Sequence, residues 1–182
     1  MDQLDITADP EVNTEGLDYV LEGSRVDLLE NKVVLCVSEN AQSEVASFDE
    51  WAAALDAGTI FMAMGNSDVP VGQYTQKILN YYGMDEQKLA QNGVISYGSN
   101  VKEVTTQIQE GSVDCGIIYC TDAYSAGLTV QDAATAKMCG QVIYPAAVLK
   151  ESEYPEEAKA FLQYLQTDRC MEVFEKVGFS AL

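Results

Sequence analysis

From Val33 onward, short apolar runs alternate with segments of helical periodicity, the pattern of repeated βα units and of an α/β fold with a largely parallel sheet. The strand candidates are Val33–Val37, Thr59–Met64, Val94–Tyr97, Val113–Tyr119 and Gln141–Leu149. Their near-continuous apolarity suits strands covered on both faces. Between them, Phe48, Trp51, Ala52 and Leu55 recur at i, i+3, i+4 and i+7 behind a Ser47–Glu50 capping box, which predicts a helix. A second helix opens at Pro70, carries Val71, Tyr74, Ile78 and Tyr81 on one face and stops at Gly83. A third has Asn100 as N-cap, Glu103 three residues on, and Val101, Val104, Thr105 and Ile108 as its stripe. Ala158, Phe161, Leu162 and Leu165 mark another, and Asp168 is placed to cap a last one ending at Gly178; both are expected to pack on a core. The first thirty-odd residues are polar, with only Leu17, Tyr19, Val20 and Leu21 clustered as apolar residues. They read as a long connection containing a short helix.

Composition narrows the function classes. The chain has 182 residues, 47% of them hydrophobic, and a formal charge of −19, which repels nucleic acid phosphates and anionic lipid surfaces. The longest apolar run, Val142–Leu149, is interrupted by Pro145 and is far too short to span a bilayer. The start, Met1-Asp2-Gln3-Leu4-Asp5, lacks the basic-then-apolar pattern of a secretion signal. Cys36, Cys115, Cys120, Cys139 and Cys170 are odd in number and contain no CxxC pair, so they read as small buried hydrophobes rather than a disulfide framework. Without histidine, a zinc site lacks its usual ligand set and a Ser-His or Cys-His catalytic pair is impossible. No P-loop, GxGxxG fingerprint or GxSxG elbow occurs. The sequence therefore predicts no catalytic residue, no metal and no cofactor.

Three strand ends run directly into helix starts: Met64 to Pro70 through Gly65-Asn66-Ser67-Asp68-Val69, Tyr97 to Val101 through Gly98-Ser99-Asn100, and Tyr119 to Thr121. At such junctions free N–H groups and the positive ends of helices converge, and an anion is the natural guest. Thr59 to Gln76 contains no Lys or Arg. A donor-only pocket suits a fully ionised dianion such as molybdate, tungstate or sulfate, whereas a protonated anion also needs an acceptor. Asp68 runs against this unless it caps its own helix, which is the expected use of an Asp there.

Gly65-Asn66-Ser67-Asp68-Val69-Pro70-Val71-Gly72-Gln73-Tyr74, Asn100-Val101-Lys102-Glu103-Val104 and Gly116-Ile117-Ile118-Tyr119-Cys120-Thr121-Asp122-Ala123, followed by Tyr144-Pro145-Ala146-Ala147-Val148 and Phe174-Glu175-Lys176-Val177-Gly178-Phe179, resemble the periplasmic molybdate-binding proteins of ABC transporters. The resemblance covers most of the chain after about Leu28. It implies the two-lobed type II periplasmic-binding-protein fold, an extracytoplasmic place as a periplasmic protein or anchored lipoprotein, and a transporter permease as partner. It also implies an oxyanion held without counter-charge by the Val71 N–H, the Val101 N–H and the Tyr119 hydroxyl. Val71 and Cys120 stand where the family commonly has alanine and glycine.

The family's opening strand with its Ala-Ser-Leu motif, and a later Ser-rich turn, have no counterpart here. The expectation is a shortened binding protein: a partial first-lobe segment and hinge over 1–34, one nearly complete second lobe with a mainly parallel sheet over 35–149, and C-terminal helices over 150–182 returning to the first lobe. Half of the implied oxyanion cage would then be missing, which leaves a non-binding interaction or regulatory module as the alternative, beside a receptor for another oxyanion such as sulfate. Uncovered stripes on the C-terminal helices would further lead to self-association.

Overall fold

The computed structural model describes residues 19–41 and 45–182; of the expected apolar cluster, Leu17 lies outside the described residues, Val20 is buried and Tyr19 is exposed. In chain order the elements are β1 (Val26–Asn31), β2 (Val33–Val37), α1 (Phe48–Asp56), β3 (Met62–Gly65), α2 (Pro70–Tyr81), α3 (Glu86–Gln91), β4 (Ile95–Gly98) and α4 (Val101–Gln109). They continue with β5 (Cys115–Tyr119), α5 (Cys120–Ala126), β6 (Val130–Ala133), α6 (Ala136–Cys139), β7 (Val142–Ala146), α7 (Pro155–Leu165) and α8 (Asp168–Lys176). Two compact units result, one of Lys32–Gln141 and one of Met1–Asn31 with Val142–Leu182.

The Lys32–Gln141 unit is built on a five-stranded sheet in the order β4-β3-β5-β2-β6. β3 runs parallel to β4 and β5, whereas β2 runs antiparallel to both β5 and β6. The α/β class matches expectation, but the sheet is mixed rather than mainly parallel. Strands buried on both faces carry the same apolar signature in either direction, so composition cannot report direction. On one face Val34, Cys36, Ala63 and Ile118 pack with Val104 and Ile108 of α4 and Ala123 of α5. Strand alternation turns Leu35, Met62, Met64 and Ile117, all fully buried, to the other side.

Helix α1 begins as its sequence predicts. The Ser47 hydroxyl accepts from the Glu50 N–H, while the Glu50 carboxylate reaches back to the Ala46 N–H at 2.8 Å, one residue beyond the usual box. Trp51 and Phe48 meet edge to face, with ring centroids 5.7 Å apart. The buried Trp51 indole N–H has no oxygen acceptor and faces the Cys115 sulfur. In α2 the buried stripe is Val71, Gly72, Thr75, Ile78 and Leu79; Tyr81, expected to be on it, is exposed.

In the other unit β1 pairs antiparallel with β7, with a register shift between Asp27 and Leu29. Bridges join Val20 to Leu149 and Glu30 to Ser180, and the buried Ser24 hydroxyl accepts from the Val148 N–H at 3.0 Å. The division therefore falls after Asn31 and after Gln141, earlier than the expected boundaries at 34 and 149, because Val142–Ala146 forms a ladder with β1. The expectation that both C-terminal helices pack on a core is corrected. α7 buries only Leu162, and α8 buries no residue. Thr167, not Asp168, is the N-cap of α8.

Two consequences of this packing are measurable. A Cβ on Gly72 would collide with the backbone oxygens of Asn66 and Gly65, so Gly72→Ala should lower stability by about 1–3 kcal/mol, the usual cost of overpacking. Urea unfolding followed by circular dichroism measures this, and an unchanged midpoint would refute the close approach. Burial pushes the thiols of Cys36 and Cys115 up to about 12. Iodoacetamide at pH 8 should therefore spare both in the native chain and modify them after unfolding, as read by peptide mass spectrometry. Rapid native labelling of either would contradict their placement in the core.

Candidate functional site

Three strands deliver the site to one edge of the sheet. β4, β3 and β5 are neighbours running the same way, so their carboxyl ends, and the helices α4, α2 and α5 that follow them, start side by side. The ends of β3 and β4 are in register at Gly65 and Gly98, and the Asn66 N–H donates to the Gly98 carbonyl at 3.0 Å. This bond fixes the loop before α2 against the loop before α4.

Val71 is fully buried at the second position of α2. As a first-turn group, its N–H has no partner within the helix, whereas the next two N–H groups, of Gly72 and Gln73, both donate to the Val69 carbonyl. The Thr75 hydroxyl, also buried, donates to the Val71 carbonyl at 2.8 Å and tightens the turn. Val101 stands at the first position of α4, where Asn100 caps as predicted: its side-chain oxygen accepts from the Glu103 N–H at 3.0 Å. Tyr119 ends β5 in an extended conformation (φ −85°, ψ 152°) and is the N-cap of α5. Its half-buried ring meets the Tyr74 ring of α2 edge to face, at 6.2 Å and 77°. The structure thus brings Val71, Val101 and Tyr119 to adjacent junctions of one unit.

The loop residues behave differently from expectation. Asp68 is not a cap: Val69 holds the N-cap position without a side-chain bond, and the exposed Asp68 donates its N–H to the Asn66 side-chain oxygen at 3.0 Å. In the second loop Glu103 accepts from the Ser99 N–H at 2.7 Å and from the Ser99 hydroxyl at 2.9 Å. These bonds hold its carboxyl below the usual range and engage both of its oxygens. Burial pushes the Asp122 carboxyl in α5 upward. A shallow depression lined by Asn100, Lys102, Glu103, Thr106 and Gln107 runs along α4, but it contains neither Val71 nor Tyr119 and is not the meeting point of the junctions. Among the described residues, no group of three or more Cys, Asp or Glu is placed to hold a metal.

Sequence reasoning passed over Gly72, Lys77 and the Ser99–Glu103 pair. A glycine in the first turn of a helix costs stability relative to alanine, and that cost was the available signal for close contact. Lys77, one residue past the cation-free stretch, places its ammonium over the Tyr74 ring at 5.1 Å; nothing in the sequence announces this.

The profile of the bacterial extracellular solute-binding protein family matches residues 7–180. A Bacillus subtilis (strain 168) protein, YvgL, whose name describes it as an ABC transporter substrate-binding lipoprotein, is 35% identical over 85% of this chain and 57% of its own length. The molybdate-binding protein ModA of Haemophilus influenzae is 28% identical over 90% of this chain and 64% of its own length. This chain therefore spans about three fifths of the length of these relatives. The solved periplasmic molybdate-binding protein of Azotobacter vinelandii superposes with a TM-score of 0.72 at 18% identity, covering 94% of this chain and 75% of that one, which establishes a shared periplasmic-binding-protein fold. With a family profile covering nearly the whole sequence, the chain belongs to the bacterial extracellular solute-binding proteins, a family of binding proteins rather than enzymes.

Proposed function

We propose that this chain binds a molybdate-like tetrahedral oxyanion outside the cytoplasm on behalf of an ABC importer, with the Val71 N–H, the Val101 N–H and the Tyr119 hydroxyl as donors. The observation that carries this reading is the convergence of two helix starts and one strand-end tyrosine at neighbouring junctions of the β4-β3-β5 edge. Helix N-termini favour negative charge and direct N–H groups at it. No cationic side chain lies between Thr59 and Gln76, and the Glu103 carboxylate in the first turn of α4 is engaged by Ser99. A dianion with no proton to place fits such surroundings better than hydrogen phosphate does. The names of the relatives, two of them molybdate-binding proteins, support the same ligand class, and the family's role supports delivery to a permease.

Calorimetric titration with molybdate, tungstate, sulfate and phosphate tests the proposal. Heat is expected with molybdate and tungstate, and none from any of the four overturns it. Tyr119→Phe should weaken binding by about 1–3 kcal/mol, the cost of leaving a buried polar group without its partner. Tyr124→Phe, on an exposed ring of α5, should leave affinity unchanged. Sulfate bound as tightly as molybdate would move the assignment to a broader oxyanion receptor.

A second reading, a non-binding interaction module, is favoured by one observation. Phe161, Tyr164 and Val173 of α7 and α8 are exposed at 61%, 47% and 56%, and each large apolar side chain left in water forgoes about 1.5–3 kcal/mol. On either reading these stripes lead to self-association of the chain. Light scattering during size-exclusion chromatography should show species larger than the 19.8 kDa monomer that Phe161→Ser shifts toward it. A sharp monomeric peak at high concentration would refute this.

A further inference from the structure

We infer that Tyr74 is a positioning residue that orients the Tyr119 ring for its hydroxyl to donate to the bound anion, an inference that rests on the oxyanion reading above. A hydroxyl donor is directional, and its bond weakens steeply once the angle departs from linear. Backbone geometry alone does not aim it. Tyr119 has a fixed main chain, paired through β5 to Val33 of β2, yet its ring is only half-buried at the end of the strand. Its neighbour in ring contact is Tyr74, edge to face with centroids 6.2 Å apart, an arrangement that aromatic quadrupoles favour over others.

Tyr74 is well placed for this task. It lies one turn after Val71 on α2, so the helix that offers the Val71 N–H also carries the ring that sets the second donor. The start of α2 is seated on the end of β3 through the Gly65–Gly72 contact, which leaves the helix little freedom to slide. The Lys77 ammonium also lies over the Tyr74 ring, 5.1 Å from its centroid, and attraction of a cation to the ring face helps hold that ring in place. The Lys77–Tyr74–Tyr119 series thereby hands the rigidity of α2 to a side chain on a different element.

The test uses the whole chain with 13C-labelled tyrosine rings, the Tyr119 signal being the one that disappears in Tyr119→Phe. Tyr74→Leu is expected to shift that signal, and Tyr74→Phe, which keeps the ring, to leave it nearly in place. In molybdate titrations Tyr74→Leu should weaken binding about three- to tenfold, the equivalent of an edge-to-face ring pair. In a Tyr119→Phe background the same substitution should cost nothing further, because coupled residues are not additive. An unmoved Tyr119 signal, or an equal loss in both backgrounds, overturns the inference. No heat from the unaltered chain would sink the oxyanion reading separately, while the ring signal would still decide whether Tyr74 orients Tyr119.

Discussion

Helix α2 can begin where it does because Gly65 and Gly72 carry no side chains. The start of the helix lies directly on the carboxyl end of β3, with the backbone oxygens of Gly65 and Asn66 where a Cβ on Gly72 would stand. Everything proposed for the site depends on that approach. It brings the Val71 N–H to the sheet edge, leaves the Asn66 N–H free to reach the Gly98 carbonyl, and sets Tyr74 against Tyr119. Gly98 repeats the device before α4, since a Cβ there would press on Val104 and on the Asn100 carbonyl. Close backbone packing of helix on strand thus sets two helix starts at neighbouring strand ends.

A net charge of −19 opposes the proposed anion binding only if charge is averaged over the whole surface. At physiological ionic strength the screening length is about 8 Å, so distant carboxylates act weakly while first-turn N–H groups act at contact. Of two carboxylates beside the junctions, one is engaged in hydrogen bonds and the other stands in solvent, where water screens it. Glu103 is turned onto Ser99, and Asp68 is exposed with its backbone tied to Asn66. Cys36, Cys115 and Cys139 are buried, and burial holds each thiol in its protonated, unreactive form.

Much of this arrangement was legible in the sequence because local signals and tertiary structure agree. The Ser47 and Asn100 caps, the helix opening at Pro70 and the strand at Val33–Val37 appear where periodicity and capping put them, and the run Val113–Tyr119 holds β5 over Cys115–Tyr119. Elements with a weak or short apolar signature were missed: β1 with its Asp27–Leu29 irregularity, β6 with exposed Val130 and Gln131, and α3, six residues long, which Asp85 caps but which buries only Leu89. Strand direction was invisible for β2, and the pairing of β7 with β1 is a long-range fact that moved the unit boundary. In the site, the three junctions could be read from strand-to-helix spacing. The Tyr74–Tyr119 contact, the Lys77 cation over Tyr74 and the Glu103 bonds to Ser99 depend on where side chains meet in space.

In the proposed site backbone amides, not side-chain cations, hold the anion. The most direct measurement is a 15N–1H correlation spectrum of the chain recorded while molybdate is added. The account predicts that the Val71 and Val101 amide signals move most, toward the frequencies of stronger hydrogen bonds, with Lys77 and Lys102 side-chain signals little changed. Saturable binding that leaves both amides in place and shifts the lysines instead would contradict it.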